Sequence, residues 1–353
     1  MKVFSTEFKR QLRYRIVELF YGNLARASAW LFIGGIANGI LGYTYQILMG
    51  RMLSTAEYGL FSAIMALFNV LVTPLGTLMM VISRKISQYR AKYDYGSIVH
   101  FYHSITLQTA IFAALILGVL LLFAPQAQAY LNITDISQVY LLGVLLFVAP
   151  LPSVNNAFLQ GLQRFKWLSS SNSLTTFSKI IFAILLVWLG YGVSGTLYST
   201  ILAYIASWLI SYYALKKPLS EGRGLPFQNA HLSLKPAIPV FAANLTLTAL
   251  TQLDIVLVNF YFSPHEASIF AAAAILGKAV MYLPGGIALA LFPMVSENHT
   301  RGQGSAKLLL QALLLVAILC GAGATFYYLF GQWISFFTNN IGHGNGTVFN
   351  RQG

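Results

Sequence analysis

The chain has 353 residues, of which 57% are hydrophobic and 9% charged, and its formal net charge is +13. An ordinary soluble domain carries about 25% charged residues, so a water-soluble globular protein is excluded and most of this surface must face lipid. The single cysteine, Cys320, lies in an apolar run, which excludes an intrachain disulfide framework; no Cys/His metal spacing occurs, and no metal site is expected.

The chain opens with a basic arm, residues 1–28, that lacks the pattern of a cleavable signal peptide. Phe4, Phe8, Leu12, Ile16 and Leu19 recur there at helical spacing, with Lys9, Arg10, Arg13 and Arg15 between them. The pattern predicts a helix lying on an anionic membrane leaflet, with a partner-docking helix as the alternative.

Apolar runs then predict nine spans, near 29–50, 58–82, 98–124, 137–161, 168–189, 193–214, 236–262, 266–292 and 307–331. The expected fold class is therefore all-α: a polytopic membrane protein of about nine transmembrane helices. Pro74, Pro150, Pro152 and Pro284 fall inside spans. In lipid this is tolerated, because neighbouring helices re-satisfy the freed backbone groups. Eighteen of the 22 Lys and Arg residues fall on one side: the arm, the 2–3 loop (Arg84, Lys85, Arg90, Lys92), the 4–5 loop (Arg164, Lys166), the 6–7 loop (Lys216, Lys217, Arg223, Lys235) and the 8–9 region (Arg301, Lys307). This bias predicts a cytoplasmic amino terminus in the cell (cytoplasmic, or inner) membrane. It also accounts for most of the net charge, so nucleic acid is not an expected partner.

One phrase occurs twice. MLSTAEYGLFSA closes span one and opens span two; YFSPHEASIFAA closes span seven and opens span eight. Ser54 matches Ser263, Glu57 matches Glu266 and Phe61 matches Phe270, all at an offset of 209. Serine followed by glutamate three residues later is the capping-box pattern. Leu75-Gly76 and Pro284-Gly285 fall at the same offset, and Asn38 and Asn244 sit at roughly matching places. Six spans separate the copies, so both have the same orientation. The unit predicted is a parallel repeat of six helices, with a pseudo-two-fold axis along the membrane normal.

The segment QILMGRMLSTAEYGLFSAI, followed by a proline in span two, and DIVLVNFYFSPHEASIFAAAAILGKAVMYLPGGIALALFPMVSE carry a family resemblance. They resemble the polysaccharide-biosynthesis flippases, in the superfamily that also holds the multidrug/toxin extruders and lipid II flippases. The resemblance covers roughly residues 29–331. It implies two lobes, a central cavity and alternating access, with an oligosaccharide on undecaprenyl pyrophosphate as cargo. The organisation expected is an arm (1–28), a first six-helix lobe (29–214), a cytoplasmic linker (215–235), three helices of a second lobe (236–331) and a polar tail (332–353). Family members usually have twelve to fourteen spans, so the sequence reads as a carboxy-terminally truncated member.

Ionisable groups inside spans are costly and usually face a cavity or a partner. Lys179 lies midway along span five, Asp254 in span seven and Lys278 in span eight. Lys179 and Lys278 are the candidate cations for a lipid pyrophosphate, with Arg51, Asn38 and Asn244 as further substrate-path residues. Asp254 and Lys278 differ in depth by only about 6 Å on consecutive helices, so they could form a structural pair; coupling of Asp254 to Na⁺ or H⁺ is the alternative. Arg51 could meet headgroups or sugar phosphate, or be a snorkelling helix end. Asn155, Asn156, Asn172 and the other span amides suit helix-to-helix hydrogen bonds. Tyr43, Tyr45 and Trp188 could stack on sugars or anchor at interfaces. His100, His103, His231 and His265 are expected to be solvated.

No nucleotide loop and no nucleophile–base spacing is present, so no catalytic residue, no enzyme activity and no cofactor are expected. The leading function is translocation of a lipid-linked oligosaccharide for cell-surface polysaccharide biosynthesis. The expected partners are membrane lipid, the polyprenyl-pyrophosphate-linked glycan and, as an option, other glycan-assembly membrane proteins. The alternatives are a cation-coupled multidrug extruder, a membrane enzyme of glycan assembly and a non-transporting remnant.

Overall fold

The structure is a computed structural model that describes residues 23–130, 133, 135–227, 238–274 and 277–278, together with helical residues scattered between 309 and 329. Among the described residues there is helix and no strand. The named helices are α1 (Asn23–Met52), α2 (Thr55–Ala91), α3 (Tyr95–Leu122), α4 (Ala124–Tyr130), α5 (Ile136–Val148), α6 (Pro150–Gly161), α7 (Phe165–Trp188), α8 (Gly192–Glu221) and α9 (Ile238–Tyr261). Residues 264–274 are also helical. Among the described residues, six stretches are long and apolar enough to cross a membrane: α2, α3, α5 with α6, α7, α8 and α9. The protein is an all-α polytopic membrane protein. Most of the arm and large parts of spans eight and nine lie outside the described residues.

Helix α3 shows why composition alone excluded a soluble fold. Its buried side chains recur at Ile98, Tyr102, Ile105, Thr109 and Ala113, which is one helical face. The opposite face carries Leu107, Ile111, Leu115, Val119 and Leu122, all exposed. A helix apolar on both faces has no water-facing side, so the exposed face is the one that meets acyl chains. Asp94 starts this helix by accepting the Ser97 N–H at 2.9 Å. Asp135 does the same for α5, accepting the Ser137 hydroxyl at 2.5 Å and its N–H at 2.9 Å. Those two bonds, the hydroxyl's first, hold the Asp135 carboxyl below the usual carboxylate range.

Two sequence boundaries differ from expectation. Arg84, Lys85 and Arg90, read as a loop, continue α2, and Lys216 and Lys217 continue α8. The hydropathy signal ends where lipid ends, but the hydrogen-bond ladder of the helix runs on. The fourth span is divided at Ala149, because Pro150 and Pro152 cannot donate to the preceding turn.

The chain divides into two compact units: residues 1–49 with 67–252, and residues 50–66 with 253–353. The first unit holds a close-packed core of α2, α3, α6 and α8, with Ile86, Ile98, Phe158 and Leu215 fully enclosed. Tyr102 donates to Asn155 Oδ1 at 2.9 Å, and Asn155 Nδ2 donates to Ser211 Oγ at 3.0 Å, so three helices share one polar link. Gly161 is obligatory to this packing: a Cβ there would lie 2.6 Å from Ile86 Cβ and 2.7 Å from the Ser83 carbonyl. The bare backbone lets Ser87 Oγ donate to the Gly161 carbonyl at 3.1 Å.

The second unit brings the two copies of the repeated phrase together. Both capping boxes form, with matching geometry. Ser54 N–H and Oγ donate to Glu57 Oε2 at 2.9 and 2.7 Å, and Ser263 N–H and Oγ donate to Glu266 Oε2 at 3.0 and 2.8 Å. In each, the glutamate N–H returns to the serine Oγ at 3.4 Å. Just beyond the caps, a Cβ on Gly59 would lie 3.1 Å from Ser268 N and 3.2 Å from the Pro264 carbonyl. Residue 268 is residue 59 plus the repeat offset of 209. The two helices therefore meet closely at positions one repeat offset apart.

Candidate functional site

In the first unit, α7 presents Asn172, Thr176 and Lys179 at i, i+4 and i+7, hence on one face. Each meets a partner on a neighbouring helix. Asn172 Oδ1 accepts from Asn156 Nδ2 of α6 at 3.1 Å. The Thr176 hydroxyl donates to Asn38 Oδ1 of α1 in a short hydrogen bond. The Lys179 ammonium sits over the Tyr45 ring of α1, 4.0 Å from its centroid. Tyr45 is itself only 2% exposed, so the ring is a fixed floor. Close by in sequence, the Gln46 Oε1 atom is enclosed without a hydrogen-bond partner, as is Asn156 Oδ1. Buried acceptors left open in this way are uncommon and suit a polar lining.

In the second unit, Lys278 Nζ lies 3.2 Å from Asp254 Oδ1, with side-chain exposures of 18% and 35%. Asp254 Oδ1 also accepts the Ile255 N–H at 2.9 Å. Lys278 therefore has a neutralising carboxylate beside it, whereas Lys179 rests on a ring face. A cation over a desolvated ring gains about 2 kcal/mol, and the ring leaves the net charge in place. A carboxylate at 3.2 Å, by contrast, cancels the charge of its partner whatever the screening between them. The comparison ranks Lys179 as the group with more to gain from an incoming anion.

The remaining candidates are dispersed. Arg51 is exposed in the last turn of α1, where a cation complements the helix dipole. Asn244 is exposed on α9, while Asn38 is held by Thr176. His100 is exposed, as expected, and also stacks on Phe227 at 3.9 Å between ring centroids. Among the described residues, no group of three His, Cys, Asp or Glu is placed to hold a metal ion. Thr176 was not singled out from sequence, and Tyr45 was read there as a sugar-stacking or interfacial ring, not as the floor beneath Lys179; the i, i+4, i+7 spacing of Asn172, Thr176 and Lys179 is the signal that could have found the face.

A family model described as "Polysaccharide biosynthesis protein" matches residues 24–299. Among solved structures, the chain is similar to a multidrug resistance MATE family transporter of the MOP superfamily in its inward-facing conformation. The TM-score is 0.61 at 17% identity, covering 88% of this chain and 75% of that one. It is also similar to a MOP superfamily transporter from Pyrococcus furiosus Vc1 (DSM3638), described as having a binding pocket of reverse polarity that suggests a different function. There the TM-score is 0.58 at 18% identity, covering 92% and 77%. A third likeness is to MATE in complex with MaD5, with a TM-score of 0.56 at 16% identity, covering 92% and 78%. These likenesses are of fold. The comparison with curated proteins gives no significant match.

Proposed function

This chain belongs to the polysaccharide biosynthesis protein family, and on that premise we propose that it is a membrane exporter, not an enzyme, that translocates a lipid-linked oligosaccharide by alternating access. The observation that carries the reading is the lysine inside α7. A pyrophosphate crossing a low-dielectric interior needs a cation nearby, since an uncompensated charge there is very costly. Lys179 offers an ammonium with no carboxylate at ion-pair distance among the described residues. The amides of Asn38 and Asn172 and the Thr176 hydroxyl extend this face with groups that suit sugar hydroxyls.

Lys278 is proposed as a further cation for the cargo, with Asp254 as its resident partner. Asp254 would then regulate Lys278, with Na⁺ or H⁺ coupling through the same carboxylate as the alternative. Arg51 would meet headgroup or sugar phosphate at the membrane edge, and Asn244 would serve in α9. The Lys and Arg bias supports a cytoplasmic amino terminus and a place in the inner membrane. A multidrug extruder is favoured only by the likeness of fold to a multidrug resistance transporter. Against it stands the engagement of Asp254 with Lys278, which leaves no lone acid there for a cationic drug.

The test is complementation. The chain is expressed in a strain that lacks its own lipid-linked-glycan flippase, and surface glycan is measured alongside drug tolerance. Restored glycan that is lost on Lys179→Ala supports the proposal. Raised drug tolerance without surface glycan supports the extruder.

A further inference from the structure

The chain leaves α8 past a proline and folds back on α3. Pro218, inside α8, has no N–H to offer the Ala214 carbonyl. Arg164 Nη1 donates to that carbonyl instead, at 2.8 Å, and the helix runs on to Glu221. Residues 222–227 then lie along the start of α3. Gly222 is buried there, and a Cβ on it would lie 2.7 Å from Val99 Cγ2 and closer still to the Tyr95 carbonyl. Gly96 of α3 is buried too. A Cβ on it would lie 3.0 Å from the Leu225 carbonyl and 3.1 Å from Leu225 Cβ, and closer still to the Pro226 carbonyl. Phe227 ends the stretch stacked on His100, with 3.9 Å between centroids and 11° between planes. Tyr95, Gly96, Val99 and His100 share one face of α3.

The grip is uneven along this strap. At Gly222 bare backbone meets α3 out of solvent. At the far end Leu225 is 47% and Phe227 50% exposed, and His100 is exposed. Gly224 lies between the two ends, with φ +75° and nothing within 4 Å of the place a Cβ would take. A left-handed glycine in open space is a joint about which the chain can turn. Local opening begins where the least surface is buried. The strap therefore peels from Phe227 back to Gly224 while Gly222 stays in place.

We propose that Leu225, Pro226 and Phe227 form a releasable latch on the chain that leads from α8 to α9, docked on Gly96 and His100 and pivoting at Gly224. Docked, the latch fixes the chain as far as residue 227, and residues 228–237 complete the connection to Ile238. Released, it adds its own residues to that connection, about 10 Å of reach. The latch does not rest on the exporter reading, which would give its slack a use: movement of α9 without strain on α8.

The test reads trypsin cleavage after Arg223 in the full purified chain in detergent, with the cut located by mass spectrometry. A docked latch keeps that bond from lying extended in the protease, so cleavage follows the released fraction. Wild type is expected to be cut there slowly. Gly96→Ala is expected to raise the rate at least about tenfold, because alanine suits the α3 helix better than glycine while its Cβ meets the backbone of the latch. With Cys320 replaced by Ala, joining His100→Cys to Phe227→Cys by a short bifunctional thiol reagent is expected to slow the cut at least about tenfold relative to the same chain left unjoined. Should Gly96→Ala fail to fold, Phe227→Ala removes the stack at a half-exposed position and carries the test, with cleavage about fivefold faster. A wild-type rate in the folded Gly96→Ala or Phe227→Ala chain overturns the proposal, and so does a cut that joining the thiols leaves unchanged.

Discussion

The crossing of Gly59 with Ser268 can be tested by adding atoms to it. A Cβ at position 59 would stand 3.1 Å from Ser268 N, 3.2 Å from the Pro264 carbonyl and 3.3 Å from Ser268 Cα. Every one of those atoms is backbone, so no rotamer change relieves the contact. Gly59→Ala must push the two helices apart by a few tenths of an ångström, and Gly59→Leu by more; overpacking of this kind costs about 1–3 kcal/mol. Thermal unfolding in detergent should fall in that order. The closeness also permits a cross-link. Since the Cβ at 59 is 3.3 Å from Ser268 Cα, one further bond of about 1.5 Å puts the two β-carbons within about 5 Å, near the separation a disulfide needs. With Cys320 replaced by Ala, the pair Gly59→Cys and Ser268→Cys should resist double alkylation after mild oxidation. On the proposed alternating access, the cross-link should also stop transport until reductant is added. Two thiols that stay fully alkylatable, together with an unaltered Gly59→Leu melting temperature, would refute the crossing.

Gly161→Ala places a methyl group 2.7 Å from the Ser83 carbonyl and should cost about 1–3 kcal/mol of stability; a melting temperature equal to wild type would mean α2 and α6 are not in contact there. In a double-mutant cycle, Asp254→Asn and Lys278→Gln should show a coupling of about 1 kcal/mol, reduced from a fully buried pair because both groups are partly exposed; additive effects would deny the ion pair.

What the sequence made legible was what is decided locally or by lipid. The two capping boxes need only four consecutive residues each, and both formed as read. The spans follow from apolar length, so helices appear where hydropathy placed the first seven of them. Their ends did not, because Arg84 and Lys217 leave the lipid without leaving the helix. The repeat at an offset of 209 was visible, yet its meeting at Gly59 and Ser268 is a tertiary event that no local pattern encodes. The same holds for Lys179. Its cost inside a span marked it as unusual, but only the packing of α1 on α7 supplies the Tyr45 ring beneath it. Pro150 and Pro152 were noted within a span, and the division at Ala149 is their backbone consequence.

The most direct test of the central claim is a reconstituted flipping assay with the purified chain in liposomes and a polyprenyl-pyrophosphate-linked oligosaccharide labelled on the sugar. Wild type and Lys179→Arg should move the label across the bilayer, and Lys179→Gln should slow it at least about tenfold, well inside the roughly 4 kcal/mol available to a charge pair at that depth. Translocation by Lys179→Gln at the wild-type rate, or none by the wild-type chain, would contradict it.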